Sequence, residues 1–574
     1  MSNPQDNNRN LYLAVVLCTA LIFVWQKWFM PKPKPGAMTD GGEVAQVVDG
    51  GAAPATAGTP TTPPALAANV TAPTPGAPRP AEQLVVFDSP TKHLVFSSYG
   101  GVLKSAVLLG EQFKRTVDGQ VEQVDLVQTQ PGQALPFSTT TTGGLPAIPA
   151  DLPYAVEKTD DAVTFTAKVG DLTVIKRYTV SQKDYDVALT VELRNGGSGT
   201  LAGELSYDLG TFVKPGSEKT GGFLSRGPVN QRRPIARIDK DTQRQDKNKD
   251  GQPNHYNGQL HFSGIDEQYF LLAFYPVTPT PASVTLSSAQ DGLRKADIGI
   301  AESLAPGASS VRTFGIFTGP KLKEALETAG QSMPQLKGAD PQLTQAVEYG
   351  FVEIIAVILL AALRFLHSIV PNWGVDIILL TLLVKIATLP LTMKQMGQAE
   401  RMRKLQPQME AIKEKFKDDK ERQNLETMKL YQQSGVNPLS GCFPMLVQLP
   451  VFWGLYRLLE FAFDIYRQPF IHGWVNDLSA VDHTYVLPGL LIVSMFASQS
   501  MMPAMGDAMQ QKMMRYVMPV MFGVFMLNLP AGLSLYYVFN NLLNIVQQLW
   551  LRKRYPASRP PSDGKKKATN LATA

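Results

Sequence analysis

Hydrophobic segments of membrane-spanning length recur along this sequence, and nothing else in it limits the fold as strictly. A backbone in lipid has no water to bond, so it must cross as a helix or as a closed barrel. Residues 11–29 are apolar apart from Thr19, Gln26 and Lys27. They suffice for one crossing, and the exit Trp25-Gln26-Lys27-Trp28 lacks the small residues of a cleavage site. Residues 11–29 are therefore expected to stay as an anchor behind a short N-terminus, 1–10. Further spans are expected at 373–393, 442–463, 485–502, 514–529 and 533–551. The stretch 351–370 is also apolar, but it carries Glu353, Arg364 and His367, and only Pro371 and Asn372 separate it from the next span. Two antiparallel spans cannot be joined so tightly, so 342–370 is read as an amphipathic helix at the membrane surface.

Six spans also agree with the charge distribution. The formal net charge is only +5, but basic residues cluster beside the spans. One block runs from Lys394 through Arg401, Arg403, Lys404, Lys413, Lys415, Lys417, Lys420 and Arg422 to Lys429; the other occupies the tail, 552–574. The positive-inside rule puts both in the cytoplasm. With the N-terminus also inside, the large polar region between the first two spans falls on the far side; a seventh span would reverse this.

That polar region has two parts. Residues 31–80 are rich in Pro, Ala, Gly and Thr, with almost nothing to bury, and predict an extended linker. Residues 81–325 hold short β-rich runs, such as 84–87, 162–167, 172–180 and 185–193, separated by Gly, Asn, Asp and Pro turns. The alternation Val187, Leu189, Val191, Leu193 predicts a sheet with one buried face, and the whole predicts a β-sandwich. The only cysteines, Cys18 and Cys442, lie outside it, so its core must hold it without a disulfide. Asp246, Asn248, Asp250 and Gly251 have the first spacings of a calcium loop, but Asn257 stands where the bidentate Glu is needed. We read a polar surface loop, and expect no metal and no cofactor.

The residue with most functional content is Lys385, inside the apolar run 377–389. A Lys near the centre of a membrane helix costs about 2.5 to 3.5 kcal/mol, so it either faces a cavity or partner or snorkels to the interface. Pro390 is five residues on, roughly 7.5 Å along a helix, so both options stay open. Thr381 lies one turn before Lys385; Gln448 sits in the third span; Ser494, Ser498 and Gln499 in the fourth; and Tyr537, Asn541, Asn544 and Gln548 form a stripe along the last. One polar face per helix predicts a shared hydrated pocket, and helix-to-helix hydrogen bonding is the plainer alternative.

Residues 394–436 carry Met402, Leu405, Met409, Ile412 and Phe416 at seam spacing, with Asp418 and Asp419 to cap a second arm and Gly435 and Pro438 to stop it. This predicts a cytoplasmic helical hairpin able to dock a partner such as the ribosome, while the basic tail suits ribosomal RNA or anionic lipid. Met502, Met505 and Met509 are loop methionines suited to varied apolar partners. No Walker A, H-E-x-x-H or G-x-S-x-G pattern occurs, so no catalytic residue is nominated and any work must come from the substrate's transfer into lipid. A solute transporter is the competing class, although no inverted repeat is evident. A carbohydrate-binding β-domain is a third, without an aromatic platform to support it.

The order of parts resembles the YidC/Oxa membrane protein insertases in their Gram-negative bacterial form. The resemblance rests on Asn372-Trp373-Gly374, Pro390-Leu391-Thr392, Asn437-Pro438-Leu439, Gly441-Cys442-Phe443-Pro444, Gly532-Leu533 and Tyr536-Tyr537. It implies a periplasmic β-supersandwich and a five-helix core enclosing a positively charged groove, open to cytoplasm and lipid. It also implies insertion and chaperoning of newly made membrane proteins in the inner membrane, alone or with the Sec translocon. Lys385 stands where the family often has Arg, which keeps the charge and loses the planar fork. By the same resemblance Thr381 and Tyr537 match groove positions, and Phe452 and Phe525 match an apolar slide for the passing helix.

Overall fold

The structure is a computed structural model, and it describes residues 80–117, 120–130, 132–214, 232–245, 252–289, 291–417, 419–435, 443–501 and 511–554. The expected anchor at 11–29, the linker as far as 79, the loop 246–251, motif residues 437–442, Asp418, the three loop methionines and the tail beyond 554 lie outside them.

The β-rich runs form strands where alternation placed them: Leu84–Asp88, Ala162–Val169, Leu172–Val180 and Asp186–Asn195. Most of the strands belong to one 13-stranded, wholly antiparallel sheet, with a separate three-stranded sheet formed by 84–108. The large sheet folds on itself at strand Asn254–Asp266, which changes partner along its length. Its first half, 254–260, pairs with Thr280–Ser288, and its second half, 263–266, pairs with Phe270–Pro276. The two halves then face each other as a sandwich. Tyr207 of one half meets Phe274 and Phe314 of the other at ring-centroid distances of 5.0 and 5.2 Å. Val187, Leu189, Val191 and Leu193 all point into this core, as their alternation requires.

The expectation of a single buried face is corrected for part of the sheet. Ala188, Leu271, Ala273, Tyr275 and Phe317, on the outer face, are buried under Leu326, Ala329, Met333, Leu336, Leu343 and Ala346. Domain packing therefore continues past the expected edge at 325, through a short helix α1 (Lys323–Glu327) and two 3₁₀ turns. Gly315 makes this possible, because a Cβ there would lie 2.0 Å from the Tyr275 ring. Tyr275 then reaches Asp186, donating at 2.9 Å, and the other Asp186 oxygen accepts from the Gly330 amide at 2.8 Å. Burial raises the Asp186 carboxyl to about 6.

The helical region comprises α2 (Glu353–His367), α3 (Trp373–Lys415), α4 (Lys420–Gln433), α5 (Phe443–Phe461), α6 (Val486–Ser500), α7 (Met518–Met526) and α8 (Ala531–Arg554). Six of these, α2, α3, α5, α6, α7 and α8, join through Ile377, Leu380, Leu455, Leu458, Leu459, Leu487, Leu491 and Leu533 in one apolar core that also takes in Leu359, Leu363 and Met526. Their outer faces are apolar too. Ile386, Leu449, Val493, Val520 and Val546 are all exposed, which a water-facing bundle does not tolerate on this scale. Among the described residues one stretch, Trp373–Pro390, is long and apolar enough to cross a membrane by length and composition; α6 and Met513–Met526 are apolar but shorter.

The expected span at 373–393 and the first hairpin arm form one continuous helix: α3 runs 43 residues, roughly 64 Å, with Pro390 and Pro407 inside it. Asp419 caps the second arm as expected, accepting from the Arg422 amide at 3.0 Å. In α2, Ala356, Leu359, Leu360, Leu363 and Leu366 are buried, yet Ile354, Val357, Ile358 and Phe365 on the opposite face are exposed. One face packs on α3 and α5, the other carries these exposed apolar side chains, and the charges are confined to the helix ends. At 15 residues, about 22 Å, it falls short of the roughly 30 Å hydrocarbon core.

Candidate functional site

The site is built on α8, whose polar residues recur every three to four positions and so share one helical face. Each meets a different neighbour. Asn544 Oδ1 accepts from Lys385 Nζ of α3 at 2.6 Å. Asn541 Nδ2 donates to Ser494 Oγ of α6 at 3.3 Å, and Ser494 donates to the Leu491 carbonyl at 3.0 Å. Gln448 Nε2 of α5 donates to Tyr536 Oη at 2.5 Å. Lys385 thus points into the bundle, although its neighbours Leu382, Leu383 and Ile386 are exposed.

The remaining predicted residues divide. Thr381 is fully buried, and its hydroxyl proton is committed to the Ile377 carbonyl of its own helix at 2.6 Å. Tyr537 does not join the amides: it lies in an aromatic cluster, 5.6 Å from Phe452 and 5.1 Å from Phe522. Phe525 is tied to that cluster through Phe522, at 6.3 Å. The structure therefore links Phe452, Tyr537, Phe522 and Phe525 in a row of rings, and Phe522 is the member that sequence reasoning missed. Its spacing of three residues from Phe525, on one face of α7, was the available signal. Tyr536 was quoted as a motif residue but not as the partner of Gln448.

Several amide groups are left over. Gln499 Oε1 on α6 and Gln547 Nε2 and Gln548 Oε1 on α8 are buried without a hydrogen-bond partner. A buried amide with nothing to bond costs about 1 to 3 kcal/mol, so such atoms call for water or a bound polar group.

The opposite end of the bundle is fastened by polar and aromatic contacts to the β-domain. Arg364 of α2 holds Asp464 with two bonds, at 2.8 and 3.0 Å, and reaches Glu324 of α1 at 3.2 Å. Phe463 and Tyr466, just beyond α5, pack among Phe113, Tyr269 and Phe270 of the β-domain. Gln268 donates to the Glu460 carbonyl at 2.6 Å. The quoted motif residues serve this end: Asn372 caps α3 through the Val375 amide and donates to the Phe470 carbonyl, at 3.1 and 3.0 Å. A Cβ on Gly374 would lie 2.1 Å from the Phe470 ring, and one on Gly532 would lie 3.1 Å from both Ile377 and Leu459.

Comparison with known proteins agrees with this arrangement. Residues 84–362 match the family model of the YidC periplasmic domain, and 365–558 match that of the 60Kd inner membrane protein. The membrane protein insertase YidC of Anaeromyxobacter dehalogenans (strain 2CP-C) is 38% identical over 483 residues, covering 82% of this chain and 85% of its own. That of Syntrophus aciditrophicus (strain SB) is 32% identical over 561 residues, covering 95% and 100%. A crystal structure of an active YidC insertase with its first transmembrane domain resolved aligns over 82% of this chain and 93% of its own, at 19% identity. Its TM-score is 0.36, and no argument rests on it. The two family models meet within α2, the first covering the β-domain and the second the remaining helices, and relatives bearing one name match the chain over most of its length. The chain belongs to the YidC family of membrane protein insertases, inner-membrane proteins in which a large all-β periplasmic domain is followed by a helical region.

Proposed function

We propose that insertion proceeds through a hydrated, positively charged groove in a six-span protein, five of whose spans form the core around Lys385. In this reading 11–29, 373–393, 442–463, 485–502, 514–529 and 533–551 cross the membrane, α2 lies at its periplasmic surface, and both termini are cytoplasmic. The groove is lined by Lys385, Asn544, Asn541, Gln448, Thr381 and Tyr537. The observation that carries the reading is the Lys385–Asn544 bond of 2.6 Å, which holds a cation between two helices of the bundle. The unpartnered amides of Gln499, Gln547 and Gln548 support it, since water would satisfy them.

Mechanistically, the ammonium attracts the acidic or polar flank of an incoming chain and lowers the cost of drawing it partly into the membrane. The apolar segment meanwhile passes along Phe452 and Phe525 into lipid. Each buried apolar side chain contributes about 1.5 to 3 kcal/mol, which over a whole span outweighs a short polar tail. The chain also serves as a chaperone for spans it has received, works alone or with the Sec translocon, and meets the ribosome through the hairpin 394–436 and the tail 552–574. No cofactor takes part.

The test reconstitutes the purified chain in protein-free liposomes and synthesises a single-span protein beside it, scoring protease-protected fragments. Protection should require the chain and should fall with Lys385→Glu. Equal protection with that variant would remove the charge from the mechanism.

A further inference from the structure

We infer that Asn544 is a positioning residue that holds the Lys385 ammonium inside the groove without cancelling its charge. This rests on the groove reading above. Lys385 sits at the edge between the buried and exposed sides of α3. Thr381, one turn earlier, is fully buried, while Leu382, Leu383 and Ile386 are exposed. Four methylenes and a nearby helix exit would let the ammonium leave along the lipid face. Asn544 Oδ1 stops this by accepting its proton at 2.6 Å from across the bundle. Asn544 has the same edge position on α8, between exposed Leu542 and Val546.

The chemistry of the acceptor is the informative part. Among the described residues no carboxylate pairs with Lys385, and its one side-chain partner is a neutral amide. A carboxylate would hold the ammonium more tightly, but it would form a closed ion pair whose field at a distance is that of a dipole. An amide fixes the position and leaves a full positive charge to act on a third group. A planar guanidinium with five donors can be held by several weak contacts, whereas the compact ammonium of a flexible lysine depends on a single well-placed acceptor. The pair Lys385 and Asn544 therefore works as a unit: one supplies charge, the other its address.

The alternative is that the bond merely ties α3 to α8. The two readings differ in what they require of Asn544→Asp, which is nearly isosteric and a stronger acceptor. A tie would be kept or strengthened; a held but uncancelled charge would be lost. The full-length chain is reconstituted in liposomes and supplied with two single-span substrates that differ only in tail residues, Asp and Glu in one and Asn and Gln in the other. With Asn544→Asp we expect about a tenfold fall in the initial rate for the acidic tail, the scale of one lost charge-assisted contact, and a clearly smaller fall for the neutral tail. The thermal midpoint should not drop. Wild-type rates for both tails, or an equal fall for both, would overturn the proposal. Lys385→Glu run in parallel separates the failures: if it impairs insertion while Asn544→Asp does not, only the role of Asn544 is lost. If neither has an effect, the groove reading falls with it.

Discussion

Lys176 of the β-domain offers a prediction whose size follows from its surroundings. Its side chain is fully buried, and the ammonium donates to the Gly100 and Phe137 carbonyls at 2.7 and 2.9 Å, with no carboxylate beside it. Burial lowers its pKa from the usual 10.5 to about 7. Between those values the unfolded chain carries a proton that the folded chain lacks, so stability rises with pH across the window and the burden of the buried charge is felt below it. From pH 7 to 9.5 the gain is about 3 kcal/mol at 1.36 kcal/mol per unit, allowing for the half-titrated starting point. The carbonyl partners favour the charged form, so this is an upper figure. Lys176→Met removes the titration and should therefore flatten this component. Amide hydrogen exchange in strand Leu172–Val180 of the full-length chain, corrected for intrinsic rates, reads the local stability of both proteins. The difference between wild type and Lys176→Met should widen in favour of wild type as pH rises. Parallel pH profiles would refute the assignment of a depressed lysine at this position.

Two further predictions concern the joint between domain and bundle. Phe463 is buried 5.9 Å from both Phe113 and Phe270, so Phe463→Ala should cost about 3 to 5 kcal/mol at the joint. Limited proteolysis should then release the β-domain faster, and unchanged cleavage would show that the aromatic joint does not hold it. Gly374→Ala would drive a methyl into the Phe470 ring and should lower bundle stability by about 1 to 3 kcal/mol, seen as a lower thermal midpoint in detergent. Phe470→Leu in the same background should recover part of the loss; no recovery would mean that the ring is not what the methyl meets.

The β-domain was legible because alternation is local. Residues two apart on a strand share a face, and the run 185–193 shows its buried side without reference to any partner. The helical region was legible for the same reason with a different period, and so was the polar stripe of Tyr537, Asn541, Asn544 and Gln548. What escaped was every fact that depends on a second element. Nothing near Ala188 announces that its outer face is covered by residues more than a hundred positions away. The α2 helix was expected to be amphipathic because its charges are visible in the sequence. Which of its two apolar faces meets α5 and which is exposed was not.

The sequence by itself therefore determined that this chain enters a membrane, where its β-domain begins, and that a lysine lies within a span. Hydropathy and period are properties of neighbours along the chain, and they survive without a fold. Only the tertiary structure brought Lys385 against its partner, because Asn544 Oδ1 lies 159 positions away. It likewise sent Gln448 to Tyr536, Asn541 to Ser494 and Tyr537 to the phenylalanines. A helix face lists what can bond, and the packing of helices against one another chooses which of those bonds form.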